Sequence, residues 1–202
     1  MAVATDTTGP ALAMIAFDGI PQGLRGLDAL AKEAPVRILS TGTIQPGHFL
    51  VLFAGEVGPV TLSHSKACEV CCEGIVDQVL LPHAEERIVP AILKGARRFP
   101  NYGDTVGSIE VVSPPTLIRA VDAALKGALV ELIELRVGDG LGGKAMATIW
   151  GEVCDVEAGL ALARSAMALG RGDGAAISIV ANADEEVARA VKSGTRFFGE
   201  WR

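Results

Sequence analysis

The chain repeats itself, and that constrains its fold more than any other feature. When residues 14–32 are laid over residues 108–126, Ile15 falls on Ile109 and Pro21 on Pro115. Arg25 then falls on Arg119, Asp28 on Asp122 and Lys32 on Lys126, a constant offset of 94 positions (28 to 122). Further on, Gly55-Glu56-Val57 matches Gly151-Glu152-Val153 at an offset of 96, so the second copy carries two more residues in between. Charged, small and β-branched positions all coincide, which marks duplication of one unit rather than compositional chance. The 202 residues therefore hold two small domains.

Each copy follows the same grammar. A first apolar strand (11–17; 106–112) leads into a helix (20–33; 114–126) that has prolines near its start, where a missing N–H is tolerated. A second strand (36–39; 130–135), a glycine-containing loop and a third strand (48–54; 145–150) come next. Gly-Glu-Val opens a second helix (57–73; 155–169), then a fourth strand (75–81; 175–180) and a short closing helix (84–93; 184–192) complete the unit. Strands and helices alternating in this way predict an α/β chain, an α+β sandwich with helices packed on one sheet per copy. The expected organisation is a disordered lead-in over 1–10, domains over 11–95 and 106–202, and a linker over 96–105 containing Arg97, Pro100, Gly103 and Asp104.

Composition narrows the function classes. Half of the residues are hydrophobic, only 4% are aromatic, and the net charge is −6. An acidic chain without a basic stripe does not predict a nucleic-acid partner. No apolar stretch is long enough to predict a membrane span. Three of the four cysteines (Cys68, Cys71, Cys72 and Cys154) crowd one segment, poor spacing for a disulfide framework, so a reducing cytoplasm is expected.

The duplicated segments carry a resemblance. Asp28-Ala-Leu-Ala-Lys32-Glu-Ala34-Pro-Val36 and Asp122-Ala-Ala-Leu-Lys126-Gly-Ala128-Leu-Val130 match the helix-to-strand motif of bacterial microcompartment shell proteins. So do the two Gly-Glu-Val segments and, in part, Leu81-Pro82-His83-Ala-Glu85-Glu86. Ala181-Asn182-Ala183-Asp184-Glu185-Glu186 departs from that last motif by lacking Pro and His. The resemblance covers nearly the whole chain, twice, and implies two tandem ferredoxin-like microcompartment-shell domains with unpermuted strand order. It is closest to the trimeric class, in which three chains form a pseudohexameric tile.

Within that class the chain is most similar to the propanediol-utilisation type of trimer, which holds an iron–sulfur cluster on its axis. The loop of that trimer reads Thr-Ile-Cys-Pro-Gly-Lys, whereas this chain has Thr43-Ile44-Gln45-Pro46-Gly47-His48. Cluster iron requires thiolates, and an amide at Gln45 is a poor substitute, so no cofactor is expected.

The resemblance implies a structural subunit with no enzymatic activity, sited in the shell of a cytoplasmic microcompartment. Its partners would be two further copies of itself, other shell proteins (hexamers and pentamers) and small metabolites crossing an axial pore. Lys32 and Lys126 would sit at the tile edge, where a long stem packs flat and three donors reach a neighbour. The bland reading of each is a solvated lysine near a helix C-terminus. The pore would be lined by the loops between the second and third strands. These are Thr43, Ile44, Gln45, Pro46, Gly47 and His48 in the first copy, and Leu141, Gly142, Gly143 and Lys144 in the second. Gly-rich loops equally serve as tight strand connections, and Lys144-Ala145 breaks the phosphate-loop spacing.

His64, Cys68 and Cys71 fall at i, i+4 and i+7 on one helix face, with Cys72 beside them. Three soft ligands could hold a metal, but that face should bury against the sheet, where free Cys serves as a small hydrophobe. Three histidines, without a nucleophile elbow or a His-Glu-x-x-His segment, give an enzyme little to work with. Glu56 and Glu152 are expected in the first turn of a helix, complementing its dipole. A competing reading is a duplicated ferredoxin-like sensor for a small ligand, which would form a discrete closed oligomer and no sheets. The aromatic segment 197–202 would dock on a neighbour or pack on its own domain.

Overall fold

The computed structural model describes residues 9–95, 98–138 and 140–196. Most of the expected lead-in, Arg97, and the aromatic segment 197–202 lie outside these residues. The chain falls into two compact units, Met1–Ala84 and Glu85–Arg202.

The first unit runs β1 (Ala11–Phe17), α1 (Ile20–Glu33), β2 (Arg37–Ile44), β3 (His48–Gly55), α2 (Val57–Val70) and β4 (Ile75–Leu81). Its antiparallel sheet has the order β2-β3-β1-β4. The second unit begins with α3 (Ile88–Lys94). It then repeats the series as β5 (Thr105–Val111), α4 (Pro114–Gly127), β6 (Glu131–Val137), β7 (Ala145–Gly151), α5 (Val153–Met167), β8 (Ala176–Val180) and α6 (Glu185–Ser193). Its sheet has the equivalent order β6-β7-β5-β8. Both sheets even interrupt their register at the same place, between Ile38 and Ser40 and between Leu132 and Glu134.

Apolar alternation explains the layers. Ala11, Ala13, Ile15 and Phe17 on one side of β1 pack with Val51 and Phe53 of β3 and with Leu30, Val60, Ala67 and Cys71 of the helical layer. Burying the valine, leucine, isoleucine and phenylalanine side chains among them stabilises by about 1.5–3 kcal/mol each. On the other face of the second sheet, Val106, Ile133 and Trp150 are covered by Phe99 and by Val187, Ala188 and Val191 of α6. Trp150 donates its indole N–H to the Tyr102 carbonyl at 2.9 Å, so the buried ring leaves no polar atom unmet.

Several boundaries differ from the sequence reading. β2 extends to Ile44 because Thr41, Gly42 and Thr43 pair with β3, although Thr41 and Thr43 are exposed. α2 stops at Val70, and Cys72–Gly74 forms a single 3₁₀ turn before β4. Glu56 and Glu152 are N-caps in extended conformation rather than first-turn residues, and neither side chain caps. Asp184 does cap, accepting the Glu186 N–H at 2.9 Å, which sets the start of α6.

Helix α3 starts at Ile88 because an arginine organises the residues before it. Arg87 donates to Glu85 at 2.7 Å, to Glu131 at 3.2 Å, and to the carbonyls of Val130 and Leu125 at 2.8 and 3.2 Å. The segment that closes the first repeat in sequence is thereby fastened to β6 and α4 of the second unit.

Candidate functional site

The β2–β3 hairpin closes with Ile44 opposite His48, and the Gly47 N–H returns to the Ile44 carbonyl at 2.8 Å. Gln45, Pro46 and Gly47 are exposed at its tip. His48 is half-buried and turns away from that tip, its Nε2 lying 3.8 Å from Asp18 Oδ1. The hairpin therefore offers a neutral amide and a proline at its end, with the imidazole at its base.

The β6–β7 loop is longer. Gly138 N donates to the Lys144 carbonyl at 3.1 Å and Lys144 N to the Leu141 carbonyl at 3.2 Å. Gly138, Gly140, Gly142 and Gly143 all have φ between +62° and +90°, a conformation that glycine adopts without steric cost. Asp139 lies outside the described residues. Lys144 is exposed, and its Nζ meets Glu110 Oε1 at 2.7 Å. The Lys144 charge is thus paired with a strand residue.

The two edge candidates share one local device. Lys32 Nζ meets Asp28 Oδ2 at 2.7 Å, and Lys126 Nζ meets Asp122 Oδ2 at 2.7 Å, one helical turn back in each copy. The Asp-x-x-x-Lys spacing puts both groups on one helix face. Lys32 and Asp28 are well exposed, whereas Asp122 is buried and also accepts the Glu85 N–H at 2.8 Å. The aspartates hold the lysine heads in place, a role visible in the motif spacing but not assigned from it. Asp18 and Glu110, the partners of His48 and Lys144, come from strand ends that no local pattern links to the loops.

The cysteine face serves packing. The Cys68 thiol donates to Gln78 Oε1 at 2.7 Å, and Cys71 to the Gln22 carbonyl at 3.4 Å, in different directions. Burial pushes the Cys68 thiol up to about 11. Cys72 is exposed on the 3₁₀ turn, off the α2 face. Among the described residues no group of three or more His, Cys, Asp or Glu is placed to hold a metal ion.

Burial also lowers the pKa of His64. The unfolded chain then takes up a proton near pH 6.5 while the folded chain resists it, so stability is lost as pH falls below that value. Urea midpoints should drop between pH 7.5 and 5.5, and His64→Gln should flatten that slope. An unchanged slope in the variant would assign the pH response elsewhere.

Equivalent positions of the two copies are buried very unequally. On α4, Pro114, Leu117, Ile118, Val121 and Leu125 are all buried. On α1 the counterparts of Pro114 and Ile118, Ile20 and Leu24, are 47% and 53% exposed, while Ile118 is 0% exposed. On the fourth strands, Leu80 and Leu81 of β4 are partly buried, whereas their counterparts Ile179 and Val180 of β8 are 39% and 40% exposed.

This combination defines a duplicated α+β domain whose distinctive features are hairpin loops, helix-end lysines and unpartnered apolar faces, with no catalytic constellation among the described residues. The chain belongs to the BMC domain family, whose model matches residues 11–84 and 105–199. It is 31% identical over 146 residues to the bacterial microcompartment shell protein PduT of Citrobacter freundii, covering 72% of this chain and 78% of that protein. Over 96 residues it is 31% identical to the major carboxysome shell protein CsoS1 of Prochlorococcus marinus subsp. pastoris, covering 46% of this chain and 93% of that one. A solved microcompartment protein from Desulfitobacterium hafniense DCB superposes with a TM-score of 0.74 at 26% identity, covering 89% of this chain and 98% of its own. The chain is accordingly a tandem-domain microcompartment shell protein, structural rather than enzymatic. Among the described residues no helix is long and apolar enough to cross a membrane.

Proposed function

We propose that three copies of this chain close into a pseudohexameric tile in the shell of a cytoplasmic microcompartment, with an axial pore for small metabolites. The observation that supports the reading is the pair of BMC domains in one chain, which gives three chains the six domains of a pseudohexamer. In a closed three-fold ring each chain presents two different faces to its two neighbours, a heterologous arrangement. The open apolar residues Ile20 and Leu24 on α1, and Ile179 and Val180 on β8, supply those faces.

The hairpins would alternate around the axis. Thr43, Ile44, Gln45, Pro46, Gly47 and His48 would line it from one unit, and Leu141, Gly142, Gly143 and Lys144 from the other. Because Lys144 is paired with Glu110, the lining would be polar but weakly charged. Lys32 and Lys126 would meet the edges of adjoining tiles, including hexamers and pentamers of other shell proteins, their heads pre-positioned by Asp28 and Asp122.

Light scattering behind a sizing column tests the assembly. The expected particle contains three 20.9 kDa chains, or six if trimers stack; a monomer or dimer overturns the reading. Lys32→Ala tests the edge, because an exposed i,i+4 pair contributes about 0.5 kcal/mol or less. The trimer mass and melting point should stay constant while sedimentable sheets are lost. Sheets formed as efficiently as by the wild type would remove Lys32 from the edge.

A further inference from the structure

Each of the two hairpins carries one basic residue where it meets its returning strand, and each of these residues faces a carboxylate. Lys144 and His48 are equivalent at the offset of 96, but their acidic partners are not equivalent. Lys144 Nζ meets Glu110 Oε1 at 2.7 Å, whereas His48 Nε2 lies 3.8 Å from Asp18 Oδ1. At the offset of 94 the first copy has Ala16 in place of Glu110, and the second has Val112 in place of Asp18. One carboxylate is thus supplied to each hairpin base, from a different position in each copy.

The fold does not demand the acid at 110. Strand pairing sets Ala16 opposite Leu50 and Glu110 opposite Met146 in the same register, so either residue suits the sheet. Nor does stability demand it. The side chains of Lys144 and Glu110 are 51% and 42% exposed, and an ion pair that open to water contributes little to folding. Its effect is on charge. Lys144 is the cation of the β6–β7 loop and is fully protonated at neutral pH. Three such ammonium groups brought round one axis would concentrate anions there. Glu110 opposes that attraction at each of them. What remains for a solute at the loop tips is the exposed Gln45 amide and the exposed backbone of Gly142, both uncharged hydrogen-bonding groups.

We propose that Glu110 sets the selectivity of the pore: by pairing with Lys144 it withholds that charge from a passing solute, so the pore takes uncharged polar molecules in preference to anions. The inference rests on the tile reading, because only a closed ring brings three Lys144 side chains together, and it names the substrate class of that same pore.

Calorimetric titration of the full chain with pyrophosphate, at fixed ionic strength and after the particle mass has been measured, tests the assignment. The wild-type trimer should show no saturable pyrophosphate binding. Glu110→Gln, which keeps the shape and removes the charge, should bind one pyrophosphate per three chains, at least ten-fold more tightly than the wild type. Glu110→Ala should show the same gain and decides the question if the glutamine protein does not fold. Adding Lys144→Gln should abolish the gain. Asp28→Asn, which releases Lys32 from an equally short pair, should not produce it. A wild-type particle without three chains removes the tile and this assignment together. Within a trimer, the assignment alone is overturned by equal binding to the wild type, by no gain in either Glu110 variant, by a gain of one pyrophosphate per chain, by a gain that survives Lys144→Gln, or by the same gain in Asp28→Asn.

Discussion

Valine at position 103 is expected to destabilise the second unit by about 4 kcal/mol or to prevent its folding. Gly103 has φ +73°, where a side chain costs about 1–3 kcal/mol in backbone strain. A Cβ there would also stand 2.3 Å from the carbonyl carbon and oxygen of Gly151, backbone atoms that cannot swing aside. The first copy repeats the arrangement, since a Cβ on Gly9 (φ +76°) would stand 2.3 Å from the same atoms of Gly55. Gly55 and Gly151 open the two Gly-Glu-Val segments, so that motif's glycine marks a close approach of two segments of the chain. Urea denaturation followed by circular dichroism measures the loss, with Gly42→Ala as control because nothing lies within 4 Å of a Cβ there. The control should stay within about 1 kcal/mol of the wild type. Wild-type stability for Gly103→Val would refute the close approach.

Leu24→Asp is expected to reduce the proposed three-chain particle to a single 20.9 kDa chain without loss of secondary structure. Leu24 is 53% exposed, so a carboxylate there costs the isolated chain little. In a closed ring the same carboxylate would be buried without a partner, which costs several kcal/mol at each seam. Ile118→Asp provides the contrast: that counterpart is 0% exposed, and its variant should fail in folding rather than assembly. Light scattering and circular dichroism on the two proteins separate these outcomes. A Leu24→Asp trimer would exclude the outer face of α1 from the seam.

Much of the fold was legible because apolar periodicity and the repeat reinforced each other. The expected limits of β1, α1 and β4 coincide with those observed, since each segment is bracketed by Pro, Gly or a change of period. β2 was read too short because Ser40, Thr41 and Gly42 earn their strand conformation from pairing with β3, a tertiary cause. The start of α3 depends on Arg87 bonding to groups more than thirty residues away, which local pattern does not carry. The same limit applies at the candidate site. The lysines and hairpin loops were visible from the motifs, and Asp28 and Asp122 were within reach of spacing. Asp18 and Glu110 were not, because which strand residues stand beside a hairpin is fixed only once register is known.

The attachment of α3 changes what counts as half of this protein. The first BMC match and the first folded unit both end at Ala84, ten residues or so before the boundary at 95 expected from the repeat, and Arg87 stands between the two positions. A gene cut at the expected boundary would therefore release a first fragment trailing a helix with nothing to grip, and a second missing the ion pairs at Glu131 and the donors for two carbonyls. Glu85, Arg87 and α3 belong with the second unit, so a working dissection must pass just before Glu85.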